Sequence, residues 1–193
     1  MTEEQTAPAP VRATGRAVGV LVGTGVLVLL IDVLTKYLAV AHLTGRPPVR
    51  LLGGAVYLVL TRNSGAAFSL GTGYTFVFPV VSLLVVSWIG WMASRLRSLP
   101  WALALGLVLG GALGNLADRI FRAPGLMLGH VVDFVSLFST DGHIWPIFNA
   151  ADSGLLCGVI LAVLLEMTGR RRDGTRVRPT RPDDKEPAER ADD

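Results

Sequence analysis

Four runs of apolar residues, each close to the length that a lipid bilayer requires, constrain this chain more than any other feature of its sequence. They cover residues 18–43, 74–93, 100–116 and 147–167. About 20 residues of helix cross the ~30 Å hydrocarbon layer at a rise of ~1.5 Å per residue. The composition agrees, with 51% hydrophobic residues and a mean hydropathy of +0.50. We therefore predict a mainly α-helical integral membrane protein with four transmembrane helices.

Arginines beside these runs indicate how the helices are oriented. The first run is preceded by Arg12 and Arg16, Arg95 and Arg97 separate the second from the third, and residues 170–172 are all arginine. The positive-inside rule places all three groups in the cytoplasm. Both termini are then cytoplasmic, although the other side also has Arg46, Arg50, Arg62, Arg119 and Arg122. Residues 1–16 and 169–193 lack apolar periodicity, so we expect disordered cytoplasmic tails.

Two loops are expected on the outer side of the membrane. Residues 44–73 hold β-branched and aromatic residues around the pair Gly53 and Gly54, which predicts short strands joined by a glycine turn. We expect a small β-sheet on the outer membrane surface, which leaves residues 119–146 as the second outer loop.

Acidic residues are rare between residues 17 and 168. Only Asp32, Asp118, Asp133, Asp141, Asp152 and Glu166 occur there. A charged side chain at the centre of a membrane helix costs about 2.5–3.5 kcal/mol on insertion scales, so such residues usually have a function. Asp133 follows two valines, and Asp152 is expected about 9 Å below Pro146 in the fourth helix. These two carboxylates are the candidates for an acid/base pair.

Other polar residues have helical spacing. Asn115, Asp118 and Arg119 share one face at the end of the third run, where they form either an interfacial cap or, as we favour, part of a site. Asp32 and Lys36 are spaced for an ion pair, which either neutralises both charges or shapes the site directly. Asn149 shares a face with Asp152. Three glycines, Gly106, Gly110 and Gly114, recur every four residues and predict close helix packing.

Metal, redox and nucleotide chemistry have little support in the sequence. His130 and His143 flank the acidic region, but their spacing fits no zinc pattern. The single cysteine, Cys157, is expected to be a small buried apolar residue. We predict no metal, no cofactor and no nucleic-acid partner. The alternative function at this point is a small transporter or proton-relay protein, because intramembrane Asp, Arg and His often mark ion pathways.

Five motifs in order carry a more specific indication. They are DVLTK (32–36), TRNSGAAFS (61–69), GGALGNLADR (110–119), GHVVDF (129–134) and WPIFNAADS (145–153). Together they resemble the bacterial lipoprotein signal peptidases, also called signal peptidase II, a family of aspartyl endopeptidases. The stretch FRAPGLML looks longer than the link that is usual in this family.

The resemblance implies both an activity and a set of site residues. It implies a peptidase of the bacterial cytoplasmic membrane, without a cofactor, that cleaves prolipoproteins immediately before a diacylglyceryl-modified cysteine. The catalytic pair would be Asp133 and Asp152, facing outward, and the outer strands would form the family's β-cradle. The residues that bind substrate or support the site would be Asn63, Asn115, Asp118, Arg119, Asn149, Asp32 and Lys36. We expect a monomer whose partners are prolipoproteins and membrane lipid.

Overall fold

The computed structural model describes residues 15–65 and 76–176 of the chain. Four helices and three strands follow one another as α1 (Gly15–Leu43), β1 (Val49–Leu51), β2 (Val56–Asn63), α2 (Val77–Ala93), α3 (Leu99–Phe121), β3 (Val131–Leu137) and α4 (Ala150–Met167). Residues 66–69 of the motif TRNSGAAFS lie outside the described part, as do residues 1–14 and 177–193 of the two expected tails.

Three of the described helices are long and apolar enough to cross a membrane, namely α1, α3 and α4 with 29, 23 and 18 residues. Helix α2 is also apolar but has 17 residues, a length of roughly 25 Å. Residues 74 and 75, which the sequence assigns to the second span, are not among the described residues. The protein is thus a mostly helical membrane protein, and the fourth span stays a prediction.

Two helices end or begin at other residues than the predicted spans. Helix α3 continues past residue 116 to Phe121. Asp118 in its last turns does not end the helix, because its carboxylate is paired with Lys36 and Arg122. Helix α4 begins at Ala150 and not at residue 147, because Asn149 caps its N-terminus. Asp152 consequently lies in the first turn of α4, and Pro146 lies outside the helix, so the expected depth of 9 Å is also wrong.

Helix α3 packs between α1 and α4, and glycines allow the close approach. A Cβ atom at Gly106 would lie 2.7 Å from the carbonyl oxygen of Leu21, and one at Gly110 would lie 2.5 Å from that of Gly25. Such distances are shorter than van der Waals contact, so only glycine fits at this interface. The prediction of close packing from the glycine repeat is confirmed.

The outward faces of the helices are covered by apolar side chains, as a lipid environment requires. On α4 these include Leu156, Ile160 and Val163, each about half exposed. Cys157 is also exposed, so the expectation of a buried cysteine is wrong. An apolar run cannot reveal which of its residues face lipid and which face protein.

The sheet is antiparallel, with strand order β1-β2-β3. The predicted glycine turn is present between β1 and β2, where Gly53 and Gly54 have φ angles of +67° and +102°. Strand β3 was not predicted, because its partner lies about 70 residues away in the chain, and no local pattern reveals such pairing. Thr61 of β2 is opposite Asp133 of β3, so the sheet carries one of the two candidate carboxylates.

The chain after α4 forms a turn, closed by a bridge between Arg170 and Arg176. The backbone N–H groups of Arg97 and Ser98 donate to the carbonyl oxygen of Arg172 at 3.0 and 3.1 Å. The expectation of disorder from residue 169 onward is therefore wrong for residues 169–176, because the connection between α2 and α3 supplies hydrogen-bond partners.

Candidate active site

Asp133 is buried in β3 with an exposed fraction of 2%. Both of its carboxylate oxygens accept hydrogen bonds from amide side chains. Asn149 Nδ2 donates to Oδ1 at 2.6 Å, and Asn63 Nδ2, at the end of β2, donates to Oδ2 at 3.0 Å. The desolvation of this carboxylate is thus partly offset by two N–H donors.

Asp152 is held at the start of α4 by a capping box. The side-chain oxygen of Asn149 accepts from Asp152 N at 2.9 Å, and Asp152 Oδ2 accepts from Asn149 N at 3.1 Å. Its other oxygen, Oδ1, accepts from Asn115 Nδ2 at 2.7 Å. Asp152 is half-buried, so this carboxylate is the more accessible of the two.

Asn149 connects the two carboxylates. Its side-chain amide donates to Asp133 while its backbone N–H donates to Asp152. The residue is fully buried, so it cannot leave this position without repacking β3 against α4. The sequence placed Asn149 near Asp152, but it gave no sign of this bond to Asp133.

Burial is the main influence on the protonation of Asp133, and it raises the pKa of this residue from an ordinary value of 3.8 to about 6. The hydrogen bond from Asn63 acts in the opposite direction, because it stabilises the ionised form. The negative charge of Asp152 raises this pKa further, whereas the bond from Asn149 and the charge of Lys36 lower it. The two carboxylates are thus close enough to interact electrostatically.

A buried ion network lies behind the carboxylates. Lys36 is 1% exposed, and its Nζ lies 2.7 Å from Asp32 Oδ2 and 3.0 Å from Asp118 Oδ2. The same Nζ donates to Asn115 Oδ1 at 3.1 Å. The predicted ion pair between Asp32 and Lys36 exists, and Lys36 also contacts a residue that holds Asp152. The ion pair neutralises both charges, and a direct role in shaping the site stays a prediction.

Asp118 and Arg119 are neighbours on α3 but serve different parts of the fold. Asp118 Oδ2 accepts from Val132 N at 3.0 Å, which fixes β3 one residue before Asp133, and Asp118 Oδ1 pairs with Arg122. Sequence reasoning missed Arg122, although its spacing of four residues from Asp118 is the usual signal for such a pair.

The guanidinium of Arg119 fixes the loop that follows α3. Arg119 Nη1 donates to the carbonyl oxygen of Gly129 at 3.0 Å, and the group lies 5.6 Å from the ring centroid of Phe78. Gly129 N returns a bond to Arg119 O at 3.0 Å. The stretch FRAPGLML is therefore a closed loop whose end returns to the C-terminus of α3.

His143, one of the two histidines that flank the acidic region, pairs with Asp141. His143 Nδ1 lies 2.5 Å from Asp141 Oδ1, and both side chains are exposed. Within residues 15–65 and 76–176, no group of three His, Cys, Asp or Glu side chains is arranged to hold a metal ion. The side chains at the site can bind water and exchange protons through the carboxylates.

The fold and this site define a class: a helical membrane protein with a pair of amide-supported carboxylates at one end of its helix bundle. Comparison with known proteins gives the family. The sequence profile of the family described as "Signal peptidase (SPase) II" matches residues 24–168. The chain belongs to the signal peptidase II family.

Named relatives cover most of the chain. It is 55% identical over 150 residues to the lipoprotein signal peptidase of Rhodococcus jostii strain RHA1, covering 78% of this chain and 73% of that one. It is 46% identical over 168 residues to the lipoprotein signal peptidase of Streptomyces coelicolor, covering 86% and 80%. The resemblance found in the motifs is thus confirmed, and the protein is a membrane peptidase. These relatives give no support to the transporter alternative.

Two solved structures share the fold. One is a bacterial membrane enzyme determined by the in meso method at 2.3 Å, with 29% identity, a TM-score of 0.65 and coverage of 77% of this chain and 88% of that chain. Another, determined at 1.9 Å, has 28% identity, a TM-score of 0.66 and coverage of 77% and 93%.

Proposed function

We propose that this protein removes signal peptides from prolipoproteins by cleaving the peptide bond before a diacylglyceryl-modified cysteine, with Asp133 and Asp152 as the catalytic pair. Membership of the signal peptidase II family supports the activity. The observation that carries the assignment of the pair is that one buried residue, Asn149, donates to both carboxylates. Two carboxylates in such proximity suit hydrolysis by activated water.

The environments of the two acids suggest how they divide the work. Burial raises the pKa of Asp133 to about 6, so this carboxyl holds its proton to a higher pH than an ordinary aspartic acid does, and it acts as the general acid. Asp152 is half-buried and therefore more accessible to water than Asp133, and it acts as the general base. It takes a proton from water, whose oxygen attacks the scissile carbonyl carbon while Asp133 protonates the carbonyl oxygen. Asp152 then gives the proton it took from water to the leaving nitrogen, the C–N bond breaks, and Asp133 recovers its proton from the hydroxyl formed at the former carbonyl oxygen.

The neighbouring side chains position this pair. Asn63, Asn115 and Asn149 hold the carboxylate oxygens, and Lys36 orients Asn115. Asp32 supports the start of α4, because its Oδ1 accepts from Ala151 N at 2.9 Å. In the same proposal, Asp118 and Arg119 support β3 and the loop before it instead of contacting the reacting bond.

We also infer a topology in which α2 is the fourth span and both termini are cytoplasmic. Arginines at the start of α1, between α2 and α3, and after α4 support this orientation. The carboxylates lie at the opposite end of the bundle, so they face outward, and the sheet lies on the outer surface of the bacterial cytoplasmic membrane as a β-cradle.

A lipid-bearing substrate suits the surroundings of this site. Exposed apolar side chains occur on the turns at this end of the bundle, including Leu52, Phe121 and Phe138, which are exposed by 80%, 83% and 60%. Burying an acyl chain contributes ~0.8 kcal/mol per CH₂, whereas one hydrogen bond contributes about 0.5–1.5 kcal/mol net. The lipid should therefore determine substrate choice more than the peptide sequence does.

Cleavage of a defined precursor tests the proposal. The purified protein in nanodiscs would be given a diacylglyceryl-modified prolipoprotein and the same precursor without its lipid, and the products would be separated by size. We expect a shortened product from the lipidated precursor alone. Absence of cleavage by the folded protein would overturn the proposed function, whereas equal cleavage of both precursors would overturn the role of the lipid.

A further inference from the structure

The end of the helix bundle remote from the carboxylates is rich in arginine. Ala17 near the start of α1, Leu96 and Trp101 around the connection of α2 and α3, and Leu165 near the end of α4 share one buried cluster there. Six arginines follow or precede these helices, and we refer to them together as the arginine collar: Arg95, Arg97, Arg170, Arg171, Arg172 and Arg176.

The collar is held in place by hydrogen bonds. The carbonyl oxygen of Arg172 accepts from the N–H groups of Arg97 and Ser98, and Trp101 Nε1 donates to the carbonyl oxygen of Arg170 at 2.7 Å. Trp101 is 3% exposed, so this bond anchors the turn in the protein interior. The arginines after α4 are thereby fixed beside those between α2 and α3, although like charges repel one another.

Few of the described acids lie near the arginine collar. The described residues include two acids at this end, Glu166 and Asp173. Asp173 Oδ1 accepts from Thr175 N at 2.9 Å and from Thr175 Oγ1 at 2.7 Å. Glu166 Oε2 lies 3.6 Å from Arg172 Nη2, with both side chains exposed to solvent, and such a pair contributes little.

Two arginines of the collar lie over tryptophan rings. The guanidinium carbon of Arg95 lies 4.5 Å from the ring centroid of Trp91, and that of Arg172 lies 4.7 Å from the ring centroid of Trp101. Trp91 is 59% exposed on an apolar helix, and exposed tryptophan in membrane proteins concentrates at the boundary between acyl chains and headgroups. Guanidinium groups at that level face lipid phosphates, which they bind with two parallel N–H bonds.

We propose that the arginine collar binds the phosphate headgroups of anionic phospholipids in the leaflet at this end of the protein. The phosphate bridges arginines of the connection between α2 and α3 and arginines of the turn after α4. The acyl chains lie along the exposed face of α2 that includes Trp88 and Trp91. The bound lipid neutralises the collar and so stabilises the docked turn. Free inorganic phosphate offers the same charge without the acyl chains.

Titration with defined lipids tests this proposal. The protein, purified in a neutral detergent, would be titrated with phosphatidylglycerol or phosphatidylcholine, and binding would be followed by native mass spectrometry. We expect preferential binding of phosphatidylglycerol, weakened by NaCl. The double variant Arg170→Gln/Arg171→Gln should bind it about 30-fold more weakly, since each basic residue near an anionic lipid contributes about fivefold.

A matched pair at the other end of the protein provides the control. Arg46→Gln/Arg62→Gln removes the same charge from two exposed arginines, and it should leave the affinity unchanged. An equal loss in both double variants, equal affinity for the two lipids, or displacement of phosphatidylglycerol by millimolar inorganic phosphate would each overturn the proposal. If Arg170→Gln/Arg171→Gln does not fold, the unaltered protein still tests the proposal. Binding of phosphatidylglycerol that does not depend on the NaCl concentration would overturn it.

Discussion

Lys36 donates to the side-chain oxygen of Asn115 at 3.1 Å, and this bond determines which end of the Asn115 amide faces Asp152. An ammonium group can only donate, so the amide oxygen must point toward Lys36 and the NH₂ group toward the carboxylate. Asn115 Nδ2 accordingly donates to Asp152 Oδ1 at 2.7 Å. An ion pair inside the bundle thus orients a residue at the proposed catalytic pair.

Removing this amide should reduce catalysis more than stability. Asn115→Ala removes one of the two N–H donors to Asp152, and a hydrogen bond to a charged group contributes about 1.5–3 kcal/mol. We expect kcat/KM to fall roughly 10- to 150-fold. Asn115→Asp should be worse, because it adds a carboxylate beside Asp152. Activity of Asn115→Ala equal to that of the unaltered protein would refute the positioning role.

Substitution of either catalytic acid should abolish cleavage. Asp133→Asn and Asp152→Asn keep the size of the side chain but remove the group that exchanges a proton, and general acid–base catalysis is worth about 10²–10⁴-fold for each group. The measurement is cleavage of a lipidated precursor by variants shown to be folded by their thermal transition. Asp141→Asn is the control, because Asp141 is exposed and pairs with His143. Normal turnover by either variant of the pair would reject the assignment.

Asp32→Ala should mainly affect stability. The substitution leaves Lys36 with one fewer counter-charge and removes the acceptor of Ala151 N at the start of α4. Breaking a buried ion pair costs about 3–5 kcal/mol, so the thermal transition should fall by several degrees. Thr35→Ala on the same helix removes a half-buried hydroxyl that bonds only backbone carbonyl groups of α1, and it should have little effect. Loss of activity in Asp32→Ala at an unchanged transition temperature would contradict this role.

The rate of cleavage should pass through a maximum with pH. If Asp133 donates a proton, kcat/KM is lost as pH rises through its pKa, which burial raises to about 6. On the acid side, the rate falls as the general base becomes protonated. The apparent pKa values of the acid and alkaline limbs belong to the pair of carboxylates and not to either residue alone, because the carboxylates interact.

Asn63→Ala provides a directional test of this profile. The Asn63 bond favours the ionised form of Asp133, so its removal should raise the pKa of Asp133 and move the alkaline limb to higher pH. Arg62→Ala, which alters an exposed side chain one residue earlier in β2, should leave the limb in place. A shift of the alkaline limb to lower pH in Asn63→Ala, or a rate that still rises at pH 9, would exclude Asp133 as the general acid.

Reporter fusions test the proposed topology. Fusions after residues 1 and 172 should report the cytoplasm, and one near Arg50 should report the outside, because arginines cluster beside the membrane helices at the first two sites. A cytoplasmic reporter after residue 1 together with external reporters near Arg50 and after residue 172 would mean that α2 does not span the membrane. External reporters after both residue 1 and residue 172 would reverse the orientation.

The sequence by itself determined the features that depend on local spacing or on chain length. The apolar runs identified the helices, and the spacing of Asp32 and Lys36 predicted their ion pair within one helix. Gly53 and Gly54 marked the turn between β1 and β2. The ordered motifs also identified the family, because each brings together residue types that are otherwise rare in a membrane chain.

Only the tertiary structure decided which of these residues meet. Asn63 and Asp133 are 70 residues apart and are joined only when β3 pairs with β2. Arg119 bears a charge that suits a substrate, yet its guanidinium is bonded to the loop carbonyl of Gly129. Asn149 looked like a neighbour of Asp152 alone, but its side chain also reaches Asp133. An amide or guanidinium on a flexible side chain can bind any acceptor within a few ångströms, so its partner is set by the packing of distant elements and not by its position in the chain.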